Sequence, residues 1–257
     1  MSHSLLLLAA VGLLACDGST PDPGLTVGER ASFGDAEARS WVRTAEDGTP
    51  TAVGVTFGAD ALAALLAAHT PSEDPMHGMF ELPLDLPDVE GLPFDHVTLD
   101  WNPQGHEPPG LFDRPHVDVH FYLLSPSQRD AISPADPAWG EKLAAMPDGP
   151  FVPTGYVPTP GGVPRMGAHW IDTADPTYAP GGSFTEVLIY GFYDGQMAFV
   201  EPMLTNAFVA SRAAVDEAIP TPARYPGPGY YPTRYTAAFD AEANEYTVAL
   251  EGLVYRE

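Results

Sequence analysis

Most of the chain consists of short runs in which apolar and polar residues alternate. Alternation with a period of two is typical of β-strands that bury one face. Two such runs flank an Asp-Gly pair at residues 47–48, and two more flank another at residues 194–195, which is a strong signal for tight hairpins. A last pair of runs occupies residues 233–240 and 245–252. The pattern predicts a mainly antiparallel β fold, either a barrel or a sandwich.

Only a few short helices are expected, all of them in the connections between strands. Residues 61–69 form an apolar run with Asp60 as a candidate N-cap, and residues 125–149 suggest two short helices interrupted by prolines. Residues 70–94 contain five prolines and are expected to form a long ordered loop. With 29 prolines and 25 glycines in the chain, long helices are not expected.

Two alternating runs, at residues 94–102 and 115–124, carry the candidate chemistry and are expected to pair as an antiparallel hairpin. One face of this hairpin is apolar and would face the core. The other face carries His96, Asp100, His116, Asp118, His120 and Tyr122. Such groups suit metal ligation, proton transfer or a polar pocket, whereas an ordinary solvent-facing surface remains the alternative.

The spacing of the histidines argues against a metal site made by one strand alone. His116 and His120 are four residues apart, which separates their Cα atoms by about 13 Å on a strand, while a Zn–N bond is only about 2 Å long. Further ligands are expected from His106 in the preceding loop, from His169 on a separate predicted strand, and from Glu201. A hydrogen-bonded structural role is the alternative for His106 and for His169 individually.

Glu201 is a candidate because counting outward from the turn at residues 194–195 pairs it with Leu188 on an apolar stripe. A carboxylate buried there needs a metal or an imidazolium as a partner, unless it already lies in solvent at the strand end before Pro202. The expected ligands of a Zn²⁺ ion or another borderline divalent metal are therefore His106, His116, Asp118, His120, His169 and Glu201. No residue is assigned a catalytic role.

The formal net charge is −24, from 35 acidic and 11 basic residues. A chain with this charge repels nucleic acid and attracts cations, although the charge also serves solubility. The sequence contains no G-x-S-x-G, H-E-x-x-H, P-loop or Rossmann glycine motif. Nucleic acid is therefore excluded as a partner, and the class of any enzymatic activity stays open.

Residues 4–16 form an apolar run shorter than the roughly 20 residues of a membrane span, and residues 1–15 are expected to be a lipoprotein signal peptide. Residues 13–16, LLAC, resemble the lipobox of bacterial lipoproteins. The resemblance implies cleavage before Cys16 and lipidation of its thiol, which accounts for the single cysteine. Residues 16–28 are expected to be a flexible tether and residues 29–257 a single β-rich domain. The protein is thus expected to be anchored through lipid in a bacterial cell envelope, facing the periplasm or the surface.

The site residues also resemble those of a bacterial family of secreted and lipid-anchored proteins of unknown function. The shared features are Gly105-His106 with Pro108, Pro115-His116, Asp118, His120-Phe121-Tyr122, Met166-Gly167, His169-Trp170 and Glu201-Pro202-Met203. The resemblance runs from about residue 40 to the C-terminus and implies an envelope location, a β-rich domain and a histidine site. It implies no particular activity. A cupin is a weaker alternative, because the second histidine of that motif would come two residues after His116 and not four.

Three hypotheses of function follow. The first is an envelope-anchored lipoprotein that binds a divalent metal through the histidine cluster. The second is a metal-assisted or acid–base enzyme that acts on a small molecule, which requires a ligand-sized cavity beside His120. The third is a structural or assembly module whose histidine face forms a contact in a homo-oligomer.

Overall fold

The computed structural model describes residues 24–74, 77–108 and 110–257, which form two antiparallel β-sheets packed face to face. The first sheet has six strands, in the spatial order β1 (Leu25–Phe33), β2 (Ala36–Thr44), β3 (Pro50–Gly58), β14 (Glu245–Glu251), β13 (Arg234–Asp240) and β11 (Val215–Ala218). The second has seven, in the order β4 (Phe80–Asp85), β5 (His96–Asn102), β6 (His116–Tyr122), β10 (Gln196–Thr205), β9 (Glu186–Tyr193), β8 (Ala168–Asp172) and β7 (Tyr156–Pro158).

The remaining elements are short. Strands β12 (Gly229–Tyr231) and β15 (Val254–Arg256) form a separate ribbon. The helices are α1 (Ala61–Ala68), α2 (Pro126–Asp130), α3 (Trp139–Ala144) and α4 (Asn206–Ala210), with single 3-10 turns at Gly149–Phe151 and Pro176–Tyr178. In the described part of the chain the two sheets do not close into a barrel, so the predicted antiparallel β fold is confirmed as a sandwich. No helix within the described ranges is long and apolar enough to cross a membrane.

One continuous core lies between the two sheets. Val53 and Val55 contribute to it from the six-stranded sheet, and Leu99, Val119 and Phe121 contribute from the seven-stranded sheet, all with no exposed surface. Each such side chain stabilises the fold by about 1.5–3 kcal/mol through its burial. The apolar face of the predicted β5–β6 hairpin therefore points into the core, as expected from its alternation.

The hairpins predicted at residues 47–48 and 194–195 and the final β13–β14 pair are all present. The prediction of a loop over residues 70–94 is wrong, because β4 lies within it and pairs with β5. This strand is at the edge of its sheet, where the missing N–H of Pro83 is tolerated. Asp60 stands at the N-cap of α1, but its carboxylate bonds with other side chains and does not cap the helix.

The domain begins earlier than expected. Strand β1 starts at Leu25, so residues 25–28, expected in the tether, belong to an edge strand of the six-stranded sheet. The signal peptide, Cys16 and the rest of the tether lie outside the described residues.

A β-bulge in β10 determines which way Glu201 faces. The bulge lies between Met197 and Phe199, and beyond it the register is shifted, so that Glu201 pairs with Ile189. The expected pairing of Glu201 with Leu188, on the stripe that faces the core, is therefore wrong. Because a shift of one residue moves a strand's side chains to the opposite face, Glu201 points away from the core, toward the polar face of β5 and β6.

Gly191 on β9 allows the strands on either side of it to bring their side chains together. It pairs with His169 on β8 and with Phe199 on β10. A Cβ atom at this position would lie 2.1 Å from the ring of Phe199. That ring in turn packs against the imidazoles of His120 and His169, with centroids 4.7 and 5.3 Å away.

We expect Gly191→Ala to lower the free energy of unfolding by about 1–3 kcal/mol. The new methyl group would overlap the fully buried ring of Phe199, which is packed against its neighbours and has no room to move aside. The matched control is Gly140→Ala in α3, where a Cβ would meet nothing within 4 Å. That change should be neutral or stabilise by up to about 1 kcal/mol. Urea-induced unfolding of both variants measures the difference, and equal stabilities would contradict the packing described for Gly191.

Candidate metal centre

The face of the seven-stranded sheet that points away from the core is polar, yet it is covered by protein. The residues that β5 and β6 contribute to it are each at most 6% exposed, and they include His96, Thr98, Asp100, His116, Asp118 and His120. Phe184 forms part of the cover, with its ring centroid 5.3 Å from that of His116. The alternative of an ordinary solvent-facing surface is therefore wrong.

The six expected ligands lie on this face, but as two groups of three and not as one cluster. In each group, one ligand atom from each residue lies within 4.8 Å of the other two. We call His106, His116 and Asp118 the hairpin group, and His120, His169 and Glu201 the strand group. His116 and His120 fall into different groups, as their spacing along one strand predicts.

The strand group is held by three different strands of the sheet. The register of β6 and β10 places Glu201 beside His120, and His169 reaches in from β8. Nε2 of His120 lies 3.3 Å from one carboxylate oxygen of Glu201, and Nε2 of His169 lies 3.7 Å from the other. The side chains of His120 and Glu201 are 0% and 1% exposed, and that of His169 is 16% exposed.

The hairpin group is organised around Asp118. Its Oδ1 lies 3.2 Å from Nε2 of His116, and its Oδ2 lies 3.4 Å from Nε2 of His106. Asn102 donates a hydrogen bond to Oδ2 over 2.8 Å. The carboxylate is thus fixed in place by a neutral donor and flanked by two imidazoles.

Backbone carbonyls set the orientation of both imidazoles in the hairpin group. Nδ1 of His106 lies 2.7 Å from the carbonyl oxygen of Glu107, and Nδ1 of His116 lies 2.6 Å from that of Arg114. A carbonyl oxygen only accepts, so each Nδ1 carries the proton and each neutral ring keeps its lone pair on Nε2. This arrangement is typical of metal-binding histidines.

The separations between nitrogen and oxygen atoms in the two groups suit ligands that share an ion. With metal–ligand bonds of about 2.0–2.1 Å, two ligands of a tetrahedral Zn²⁺ are about 3.3 Å apart. The observed separations run from 3.2 to 3.7 Å. Direct hydrogen bonds between nitrogen and oxygen are shorter, at about 2.9 Å.

Asp100 belongs to the site although it was not among the expected ligands. It lies directly opposite Asp118 in the hairpin, a pairing of like charges that destabilises a sheet without a compensating cation. Its Oδ2 accepts a hydrogen bond from Thr98. The same oxygen lies 2.6 Å from Nδ1 of His120, but the angles of this contact are not those of a hydrogen bond. The predicted hairpin pairs Asp100 with Asp118, so the sequence could have predicted that Asp100 lies at the site.

Burial and neighbouring charges shift the pKa values of the groups on this face. Burial opposes protonation of His120, but the carboxylates of Glu201 and Asp100 outweigh it and raise the pKa of His120 to about 9. Burial raises the pKa of Glu201 to about 8, against the attraction of the His120 imidazolium. Burial, reinforced by the positive charge of His120, lowers the pKa of His169 to about 3. Burial likewise raises the pKa of Asp100.

In the hairpin group, the neighbouring charges lower the pKa of the carboxyl group of Asp118 and raise the pKa of the imidazole of His106. Burial opposes ionisation of Asp118, but His116 and His106 outweigh it and hold the pKa of Asp118 well below its usual range. Burial also opposes protonation of His106, yet the contact with Asp118 raises the pKa of His106 to about 9. Both groups therefore combine a buried carboxylate with an imidazole whose charged form is stabilised, so an ion that binds there must displace a proton from the imidazole.

Buried polar atoms that lack a hydrogen-bond partner in the protein concentrate on this face. Among the described residues they include His96 Nε2, Asp100 Oδ1, His116 Nε2, Asp118 Oδ1, both ring nitrogens of His120, Tyr122 Oη and Glu201 Oε2. Each such atom costs about 1–3 kcal/mol if it stays unpaired. A cation that accepts lone pairs from nitrogen and oxygen would satisfy those atoms that belong to the group it occupies, such as His120 Nε2 and Glu201 Oε2.

Two pockets formed by the described residues lie away from this face. One is lined by residues that include Tyr156 and Asp172, and the other by residues that include His69 and His77. His120 is fully buried. The ligand-sized cavity that an enzyme would need beside His120 is therefore not found among these pockets.

Comparison with known proteins gives one match. A family model described as "TTHB210-like: Hypothetical protein TTHB210" matches residues 46–101. The matched range ends before the loop that carries His106 and before β6, so it does not reach the motifs that resemble the envelope family, and membership in that family stays a prediction. The curated proteins and the solved structures gave no match.

We expect Asn102→Asp to lower the free energy of unfolding by at least about 1–3 kcal/mol, because it removes the donor to Asp118 and adds a carboxylate to a buried acidic face. The matched control is Asn244→Asp, since the amide of Asn244 also donates to a carboxylate, that of Asp60, but on the surface. That change should cost less than about 0.5 kcal/mol. Chemical denaturation measures both, and similar losses would contradict the charge balance described for this face.

Proposed function

We propose that this protein binds a divalent transition-metal ion at the strand group and is a lipid-anchored component of a bacterial cell envelope. The observation that carries the metal proposal is the convergence of His120, His169 and Glu201 from three strands, with their ligand atoms within 4.8 Å of one another. Two imidazoles and one carboxylate suit Zn²⁺ or another borderline divalent metal. The net charge of −24 supports the proposal, because it raises the local concentration of cations.

The envelope location rests on residues 1–16. The apolar run and the LLAC sequence support export followed by lipidation of Cys16, and the absence of other cysteines means that no thiol of the domain competes as a metal ligand. The resemblance to secreted and lipid-anchored proteins points the same way.

The burial of the site favours retention of an ion over turnover of a substrate. A site with three protein ligands has an open coordination position, as catalytic zinc sites do. Here, however, the site lies beneath other protein segments, and His169 is its most exposed ligand, at 16%. The same burial argues against a subunit contact through this face, because His116 and His120 expose no surface to a partner.

We expect the mature protein, purified without an affinity tag, to bind Zn²⁺ in calorimetric titration and to gain stability from it. An ion present at 100 times its Kd stabilises the folded state by about 2.7 kcal/mol. His169→Ala should remove this binding to the strand group, whereas His77→Ala, which changes an exposed histidine, should not. A wild-type protein that ignores Zn²⁺, Cu²⁺, Mn²⁺ and Fe²⁺ would contradict the proposal.

We expect the full chain, expressed in a bacterial host, to be found in the membrane fraction with a mass increased by lipid. Cys16→Ala should move it to the soluble fraction or leave its leader uncleaved, because no thiol remains for lipid attachment. Fractionation followed by mass spectrometry measures both outcomes. An unlipidated wild-type chain in the soluble fraction would contradict the envelope proposal without affecting the metal proposal.

A further inference from the structure

We infer that the hairpin group is a second metal site, so that the protein holds two divalent ions on one buried face. This inference rests on the proposed function, because it extends metal binding from the strand group to His106, His116 and Asp118. Each group supplies two imidazole nitrogens and one carboxylate of its own, and the two groups share no residue.

His116 and His120 lie too far apart along β6 for both to bind one ion. His116 belongs to one group and His120 to the other, and their Cα atoms are separated by about 13 Å of extended strand. Within each group, in contrast, the nitrogen–oxygen separations are 3.2 to 3.7 Å. An ion bound between His120, His169 and Glu201 therefore leaves the ligand atoms of the hairpin group unused.

The hairpin group has the features of a built site. His116 is fully buried, and its Nε2 has no hydrogen-bond partner in the protein although Oδ1 of Asp118 lies 3.2 Å away. Backbone carbonyls hold both imidazoles by Nδ1, and Asn102 holds the carboxylate. These contacts fix the ligands in the orientation that an ion requires before any ion is bound.

Charge also favours an ion at this position. Asp100 and Asp118 are direct neighbours across the hairpin, and both are nearly inaccessible to water. An ion in the strand group contacts Glu201 but not Asp118. A cation in the hairpin group would neutralise Asp118 directly and relieve its repulsion with Asp100.

The loop before β6 distinguishes the second site from the first. His106 lies on this loop and its side chain is 30% exposed, whereas every ligand of the strand group lies on a strand. Gly105 has φ +76°, and a Cβ there would lie 2.1 Å from the carbonyl oxygen of Phe112, which also accepts a hydrogen bond from the backbone N–H of His106. The loop therefore both positions His106 and gives the ion a route to solvent, so the hairpin ion exchanges faster than the strand ion.

The test is the number of Zn²⁺ ions bound by the mature, tag-free chain, measured by elemental mass spectrometry after equilibrium dialysis. The wild-type protein and the control His77→Ala should bind two ions. His106→Ala and His169→Ala should each bind one, and the double variant none. Circular dichroism checks that each variant is folded, and both changed histidines are partly exposed, which limits the cost to folding.

A second variant tests the site without changing a ligand. Gly105→Ala should weaken the binding of one ion by about 10- to 100-fold, as the loss of a supporting contact does in metal sites, and leave the other unchanged. A chelator competition should release the ion that depends on Gly105 before the other one.

The outcomes separate the two proposals. A wild-type protein that binds one ion, unaffected by His106→Ala, would overturn the second site and leave the proposed function intact. A wild-type protein that binds one ion, and binds none in either His106→Ala or His169→Ala, would show a shared site and would likewise overturn the inference. No bound ion in the wild-type protein would overturn both.

Discussion

The structure depends on the polar face of the seven-stranded sheet, where ionisable groups are buried away from solvent. Asp100, Asp118 and Glu201 are buried together with the imidazoles of His116 and His120 on the side of the seven-stranded sheet that does not face the inter-sheet core. Burying a charge is costly unless a charge of opposite sign or a metal compensates it. Hydrophobic burial between the sheets accounts for the fold but not for this face, whose carboxylates require compensation by imidazolium groups or by a bound cation.

Several local features of the backbone serve this face. The bulge in β10 turns Glu201 and Phe199 toward it, and Gly191 leaves the space that the ring of Phe199 occupies. The tight loop at Gly105 carries His106 back over the start of β6. None of these features is needed to build an antiparallel sandwich. They are expected where a chain gives up regular geometry in order to place particular side chains.

Much of the fold and most of the candidate site could be predicted from the sequence because they depend on local patterns. The period-two alternation of β5 and β6 gave the correct core face, and the spacing of His116 and His120 agrees with their placement in different groups. Glu201 lies beside His120 and His169 for a reason other than the expected one, since counting outward from the turn does not detect the bulge that reverses its face. The edge strand β4 was missed because its proline resembles loop sequence, although an edge strand tolerates it.

The sequence alone could not predict that the six expected ligands form two separate groups. It depends on the order of β6, β10, β9 and β8 in the sheet, which is set by packing between segments that are far apart in the chain. The cover over the polar face is also non-local, since Phe112 and Phe184 reach it from two separate connections. For the same reason the choice between a solvated face and a buried one could not be made from alternation alone.

The most direct test of the central claim is anomalous X-ray diffraction at the zinc absorption edge, from crystals of the tag-free domain grown with Zn²⁺. A metal centre predicts an anomalous peak enclosed by His120, His169 and Glu201, at bond lengths of about 2.0–2.2 Å from their ligand atoms. Well-ordered side chains in the same positions, with no anomalous peak at either group, would contradict it.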